Sequence, residues 1–426
     1  MSLDRTIAPL KHEIETPKYW QIERRELKKN TKVHLLSKSD ELLSSITLVF
    51  KGGLGSSQDG LNIGLMKNMI LSGTKNYPKS QISEELDFYG AYFQLNPTYD
   101  QTEIQVICLH RYLQPVIKLL KEVLTNCVFT QEDFEIYLEK KKQHFLVSKQ
   151  KVAFLGRTHF MNQVFGDNHT YGRQRHDEDY ERICLEDVVN YYESFIKNQP
   201  FELFLTGKFE NDDINIIESE LIPDHFTNNT TPSINTEIKA KGEMFNVELE
   251  EAMQSSVTVG FACPNSNHPE FLDWKIVNTI LGGYFGSRLM KNIREDKGYT
   301  YGIGSRLIHY PESGLFKIST EVGSQHVNDT LKQIYDEIET LKTELISESE
   351  LELVKNYLLG GVLSSSDGLM QQAGMYKSLY DQGYGWERMH AFIDVIKTAT
   401  PEKVLKSAQS FFSQNKLVEV VAGIKK

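Results

Sequence analysis

The sequence predicts an α+β protein of two homologous α/β-sandwich domains, each a mostly antiparallel sheet packed with helices. Three observations predict it. One order of elements (strand, helix, helix, strand, strand, helix) occurs once in each half of the chain, as a duplicated domain would show. The stretch PDHFTNNTTPSINTEIKAKGEM, Pro223 to Met244, lies between the two runs; it is polar and turn-rich and has neither helical nor strand period, so it reads as a linker. At 426 residues the chain also exceeds what one ordinary core holds. The expected domains are residues 1–222 and 246–426, with 223–245 as the linker.

The first half opens on the apolar run SSITLVFKGG (Ser44 to Gly53), a strand stopped by its glycines. A helix follows in GLNIGLMKNMILSGT (Gly60 to Thr74), and a second in SQISEELDFYGA (Ser80 to Ala91). YFQLNP and TEIQVICL are strands; RYLQPVIKLLKEVL (Arg111 to Leu124) returns to helical spacing. The second half repeats the sequence of elements: strand SSVTVGFACP (Ser255 to Pro264), helices FLDWKIVNTILGG (Phe271 to Gly283) and SRLMKNIRED (Ser287 to Asp296), strands YTYGIGSRLI and GLFKISTEV, and helix HVNDTLKQIYDEIETLK (His326 to Lys342). Each half then adds a long helix from an acidic start, TQEDFEIYLEKKKQHFLVSKQ in one and SESELELVKNYLLGGVL in the other. Each closes on a strand-like run, PFELFLTG and KLVEVVAGI.

Composition narrows the function classes. The apolar fraction of 40% with 25% charged residues is that of a soluble globular protein. A formal net charge of −11 argues against a nucleic-acid surface, which needs a basic patch to displace counterions. The basic run LEKKKQHF (Leu138 to Phe145) sits among acidic residues and reads as a solvated helix face. Cys108, Cys127, Cys184 and Cys263 are scattered without a C-x-x-C pair, so buried free thiols are expected. The N-terminus has no apolar stretch of signal-peptide length and no run of about 18 apolar residues occurs, so no membrane span and a cytoplasmic location are expected, or a periplasmic one if a signal has been removed. The N-x-T matches at Asn228 and Asn229 are read as chance.

Most chemical motifs are missing. FKGGLGSSQDG lacks both the G-K-[ST] ending and the G-x-G-x-x-G spacing of phosphate loops. In LGGYFGS, Gly282 and Gly283 suit a left-handed helix end and Ser287 suits the start of the next helix. No H-E-x-x-H, H-x-x-E-H or G-x-S-x-G occurs. The densest histidine group, His159, His169 and His176 with Asp177 to Asp179 and Cys184, places no two ligands on adjacent helical turns; FGDNHTYGRQRHDEDY reads instead as a surface loop. What remains is SRLMKNIREDKGYTYGIGS (Ser287 to Ser305). Arg294 falls in the last turn of a helix, Gly298 breaks it, and Tyr299, Tyr301 and Ile303 alternate onto one face of a strand beginning near Tyr299. A guanidinium and a phenol brought together this way form a donor pair for a carbonyl or an oxyanion. The plainer reading, favoured on composition alone, pairs Arg294 with Glu295 and Asp296 at the surface and packs the tyrosines in the sheet.

The whole chain resembles the insulinase-like (pitrilysin, mitochondrial processing peptidase) zinc metallopeptidase superfamily in its short two-domain form. The likeness rests on the strand–helix opening, the Gly73-Thr74 ending, EELDFYGA, NHTYGR and above all LGGYFGSRLMKNIREDKGYTYGIGS. It implies the metallopeptidase LuxS/processing-peptidase-like fold. In catalytic members the first helix carries H-x-x-E-H: two His bind zinc and the Glu activates the attacking water. Anchored on Gly73-Thr74, those positions fall here on Gly64, Lys67 and Asn68, and the family's third ligand, a later Glu, falls near Phe145. The family's Asn-Ala edge-strand motif reads Gln94-Leu95. The resemblance therefore implies a chain with no zinc or other cofactor of its own, while Arg294 and Tyr301 keep the family's spacing. In paired members the zinc lies in one subunit and the other supplies this Arg and Tyr to the scissile carbonyl. The chain resembles the non-zinc partner of a bacterial heterodimeric peptidase: a homologous zinc-bearing subunit and a peptide substrate are its implied partners, a homodimer is possible when alone, and Tyr299, Gly282 and Gly283 are expected to contact substrate. The alternative is a pseudo-enzyme that binds peptides or acts as a scaffold without assisting catalysis.

Overall fold

The computed structural model describes residues 15–56, 60–224, 235–239, 244–250, 252–413 and 416–424. One mixed sheet is built from β1 (Glu23–Leu27), β2 (Thr31–Ser37), β3 (Leu43–Lys51), β4 (Tyr92–Pro97), β5 (Gln101–Leu109) and β6 (Phe201–Gly207). The other is built from β7 (Met244–Glu248), β8 (Gln254–Cys263), β9 (Ile303–Tyr310), β10 (Ser313–Gly323) and β11 (Val418–Gly423). Their orders are β1-β2-β6-β3-β5-β4 and β7-β11-β8-β10-β9. Apart from the extra edge strand β1, the orders correspond strand for strand. Each sheet has a single parallel pair, β2 with β6 and β7 with β11, and its other pairs are antiparallel.

The first half adds helices α1 (Leu61–Met69), α2 (Lys79–Phe88), α3 (Leu113–Asn126), α4 (Gln131–Lys149), α5 (Val152–Phe165), α6 (Asp179–Arg182), α7 (Leu185–Tyr192) and α8 (Asn211–Leu221). The second adds α9 (Phe271–Asn278), α10 (Val327–Thr343), α11 (Glu348–Ser365), α12 (Leu369–Asp381), α13 (Glu387–Thr398) and α14 (Pro401–Ser413). Strand alternation sets one core: Ile46, Leu48 and Phe50 of β3 face Leu61, Leu65 and Met66 of α1 and Val116, Ile117 and Leu120 of α3. The second core joins Val257, Val259 and Phe261 of β8 to Trp274 of α9, Ile334 of α10 and Phe411 of α14.

Several expectations are corrected. Strands β1 and β2 are not among the expected elements: ERREL is nearly all charge and forms an edge with little to bury, whereas β2 lies inside the sheet between β1 and β6 and is largely buried. The linker falls largely on residues 225–234 and 240–243, outside the described residues, as do Asn228 and Asn229; its last two residues, Met244 and Phe245, already belong to β7. The first helix is shorter than Gly60 to Thr74: Gly60 stands before it in a left-handed conformation (φ 66°), and beyond Met69 the chain turns so that Thr74 bridges to Cys127. The long helix predicted from Phe271 changes to a π-helical turn at Thr279–Gly283, and a second π turn spans Met290–Asp296.

The two halves exchange helices. Helix α5 comes from the first half, yet it packs on β8 and β11 of the second sheet. Its Phe160, Val164 and Phe165 join Leu315, Val418 and Val420 in one buried cluster. The approach is close at Gly156, where an added Cβ would stand 2.5 Å from the Ser256 hydroxyl. Helix α12 reciprocates by covering β6. Its Tyr376 hydroxyl meets His34 Nδ1 (3.1 Å) and receives Arg24 Nε (3.1 Å), and its Lys377 pairs with Glu103 of β5 (2.6 Å). Tyr171 stacks on Tyr310 across the same junction, 4.2 Å between centroids.

This junction carries a pH dependence. Glu202 on β6 is held well below the usual carboxylate range, at about 2, by His34 beside it and then by the Tyr380 hydroxyl and Lys32, against the opposing cost of burial. A folded-state pKa below the unfolded 4.5 contributes stability that is complete above about pH 4.5 and is lost as pH falls toward 2. Glu202→Gln is therefore expected to flatten the dependence of stability on pH between those values. Urea unfolding midpoints measured from pH 5 to pH 3 (chosen inside about that window) check it, and parallel slopes for both proteins would contradict it.

Candidate functional site

Helix α1 presents the three residues aligned with a zinc motif. Gly64 is partly exposed; Lys67 and Asn68 are exposed and lie one turn further on. Helix α4 packs against α1 and places Lys141 opposite Gly64, its Nζ 3.2 Å from where a Cβ on Gly64 would stand. The ammonium is lowered from its ordinary pKa by burial and by the positive charges of Arg175 and Lys67. Phe145, one turn along α4, is buried against Tyr180 and Phe154, with centroids at 5.2 and 5.9 Å. A glycine, an ammonium, a carboxamide and a phenyl ring supply no set of lone pairs for a divalent cation, and Lys141 and Lys67 repel one. These residues do not fit zinc. Among the described residues no group of three or more His, Cys, Asp or Glu comes together as a metal cluster.

The basic run on α4 is thus more than a solvated face. Phe134, Leu138, Lys141 and Phe145 follow helical spacing on the side that packs inward, so Lys141 occupies a core position of an otherwise exposed segment. This spacing could have revealed it. Asn68, Lys141 and Phe145 open onto a cleft of ≈ 1210 Å³ whose walls also carry Lys140, Lys149, Arg157, Arg173, Arg175 and Lys317, against the acidic Asp177 and Glu178. Lys149 and Asp177 form an ion pair at 2.7 Å. The expected surface loop at Phe165 to Tyr180 is in fact a wall of this cleft: His169 and Tyr171 are both 1% exposed, His169 Nδ1 accepts from the Tyr171 N–H, and the Tyr171 hydroxyl donates to Asp100 (3.0 Å). His159 stacks on Phe245 and His176 stands on the cleft wall.

The Arg–Tyr segment is arranged differently from the strand face that alternation suggested. Strand β9 begins only at Ile303. Tyr299 precedes it, its ring stacked on His326 (4.0 Å) and its hydroxyl held by Asp329, so it is tied to the start of α10. Tyr301 projects away, 95% exposed, beside a second recess shared with Arg157, Lys317 and Thr320. Arg294 lies in the π turn with its guanidinium over the Phe285 ring at 4.6 Å. It forms no ion pair with Glu295 or Asp296, and neither Arg294 nor Tyr301 has a hydrogen-bond partner among the described residues. The ion pairs of the plainer reading are therefore not formed, although Tyr299 does pack against the second core. The neighbouring Arg288 is the structural one: it grips Glu350 of α11 with Nε and a terminal nitrogen, both at 2.8 Å.

Gly282 and Gly283 do not form a left-handed helix end; both close the first π turn at negative or extended φ. A Cβ at Gly282 would stand 2.6 Å from the Ser305 backbone nitrogen, so this glycine lets the π turn lie against β9. A Cβ at Gly283 would meet Asn278 at 3.2 Å. Ser287 precedes the next helix, but its buried hydroxyl has no partner, so it does not cap by its side chain. Arg157 and Lys317, which sequence reasoning passed over, line both the cleft and the Tyr301 recess and connect them.

Residues 32–169 match the family described as "Insulinase (Peptidase family M16)", and residues 182–358 match "Peptidase M16 inactive domain". An uncharacterized zinc protease of Rickettsia felis is 20% identical over 87% of this chain and 90% of its own length. The "Probable inactive metalloprotease YmfF" of Bacillus subtilis is 20% identical over 87% and 91% respectively. Among solved structures, a peptidase M16 inactive domain from Pseudomonas fluorescens superimposes with a TM-score of 0.83 at 21% identity, covering 94% of this chain and 98% of that one. A protease from Helicobacter pylori gives 0.81 at 13% identity, covering 96% and 100%.

Proposed function

The chain belongs to the insulinase family of peptidases, and from that premise we propose that it is the zinc-free subunit of a heterodimeric peptidase. It is an inactive-type homologue in the sense of its similarity to the inactive metalloprotease of Bacillus subtilis. A homologous zinc-bearing subunit supplies the metal, and this chain supplies Arg294 and Tyr301 to the scissile carbonyl. One observation carries the reading: the zinc positions are filled by groups that do not fit it, while Arg294 and Tyr301 have no hydrogen-bonding partners among the described residues. As the carbonyl is attacked, negative charge grows on its oxygen, and a guanidinium and a phenol brought to it by this chain would stabilise that charge. The peptide is held as an added strand on a sheet edge, for which the edge strands β4 and β9 are candidates.

The test is reconstitution. The purified chain alone is expected to bind no stoichiometric zinc and to leave peptides intact. Mixed with a homologue whose first helix carries H-x-x-E-H, it is expected to yield hydrolysis exceeding that of the homologue alone. Hydrolysis by this chain alone with one bound zinc would overturn the proposal. Complex formation without any gain in hydrolysis would favour a scaffold that binds peptides without assisting catalysis.

A further inference from the structure

A second cavity, remote from the zinc positions and the Arg–Tyr pair, has features that the peptidase reading does not use. It lies among α9, α11, α12 and α13, with a volume of ≈ 1010 Å³. Phe271, Leu272, Val362, Met375, Leu379 and Phe392 give it predominantly apolar walls. At one end Lys275 carries its ammonium 4.8 Å from the centroid of Phe392 and 5.9 Å from that of Phe271. No carboxylate pairs with it among the described residues. Its charged neighbour is Arg388, which donates to the Ser266 carbonyl at 2.6 Å, while burial and Lys275 favour the neutral form of the nearby His309. Burial and Arg388 pull the Lys275 ammonium down to about 8.

Ser266, 1% exposed, also lines the cavity, and its hydroxyl has no hydrogen-bond partner among the described residues. Other polar side chains of the lining are satisfied within their own helices: Asn356 by Glu352 (3.2 Å), Gln382 by the Ser378 carbonyl (2.8 Å) and Ser365 by the Gly361 carbonyl (2.7 Å). Lys275 and Ser266 are thus a cation without a carboxylate and a buried hydroxyl without a partner among the described residues, on the lining of one cavity. A buried cation and a buried hydroxyl left unmatched are costly, and an anion would relieve both. Mid-helix Gly360 and Gly361 on α11 also line the cavity, and a Cβ on either would meet nothing within 4 Å. Each glycine weakens its helix relative to alanine. Here they keep the floor of the cavity open instead of admitting a neighbouring element.

We propose that this cavity binds a long-chain carboxylate, its head at Lys275 and Ser266 and its chain along the glycine floor of α11. One polar end with apolar walls matches a ligand with one charge. A peptide would bring a donor and an acceptor for nearly every residue, whereas the surface of this cavity is mainly apolar.

Isothermal titration of the full chain with dodecanoate tests this beside three comparison ligands: dodecan-1-ol, butanoate and a free-C-terminal apolar tetrapeptide. Dodecanoate is expected to bind one to one, with the alcohol and the short acid about tenfold weaker or more, since a charge-assisted hydrogen bond is lost in one and the apolar contact in the other. Lys275→Met keeps the volume and relieves the buried charge, so the protein remains folded while dodecanoate falls to the affinity of the alcohol. Gly361→Leu fills the floor and weakens both. Equal binding of acid and alcohol to the unaltered chain, no binding, several equivalents bound, an unaffected Lys275→Met variant, or tighter binding of the tetrapeptide would each overturn the proposal. None of these outcomes bears on the role of Arg294 and Tyr301.

Discussion

Tyr301→Phe or Arg294→Ala is expected to slow peptide hydrolysis by the reconstituted pair about a hundred- to a thousand-fold, the effect of losing one preorganised oxyanion donor. The loss should appear in kcat more than in KM, because the carbonyl oxygen gains its charge only as the reaction proceeds. Stability should hardly move. Tyr301 is 95% exposed and loses only its hydroxyl, and Arg294 gives up a single contact with the ring of Phe285, about 0.5–1 kcal/mol at an exposed site. Steady-state kinetics with a melting curve for each variant separate the possibilities. A normal kcat in both variants would show that the pair plays no part in hydrolysis. A fall in complex formation in place of kcat would assign these residues to subunit contact.

The second large effect concerns the exchanged helices. Phe160→Ala removes a ring that is 1% exposed, with about 3–5 kcal/mol of stability expected to go with it. Where the damage appears matters more than its size. Phe160 lies in the first half of the sequence, but its neighbours Leu315, Val418 and Val420 are in the second sheet. Hydrogen exchange is therefore expected to quicken in β8, β10 and β11, some hundred residues or more along the chain on about the scale of a whole domain. Loss of protection confined to residues before 223 would show that the halves are energetically separate in spite of the exchange.

The fold was legible wherever a period was clear. Strand β5 alternates between partly and fully buried along its whole length, as TEIQVICL suggests, and the repeated order of elements anticipated two sheets of corresponding topology. The exchange was not legible, because α5 is apolar on more than one side and its sequence cannot say which sheet it covers. Strand alternation misled at Tyr299 and Tyr301: the period is present, but β9 starts at Ile303, beyond both, leaving one ring bound to His326 and the other in solvent. At the zinc positions the sequence reveals the missing ligands, whereas the ammonium that stands beside Gly64 comes from 77 residues away (141 − 64 = 77) and depends on how α4 is rotated. Lys275 was hidden for a similar reason. One lysine in FLDWKIVN looks like an ordinary solvent-facing residue until four helices close around it.

The reciprocal exchange also sets the order in which the chain can fold as it leaves the ribosome. Strand β6 is complete at Gly207, but α12, which covers it, begins at Leu369, 162 residues later (369 − 207 = 162). At about 5–20 residues per second, synthesis of that interval takes roughly 8–32 s. For that time Phe204 and His34 lack their cover, and α5 waits with Phe160 and Phe165 unburied until the second sheet exists. The nascent first half is thus expected to keep apolar surface exposed until α12 and the second sheet have been made.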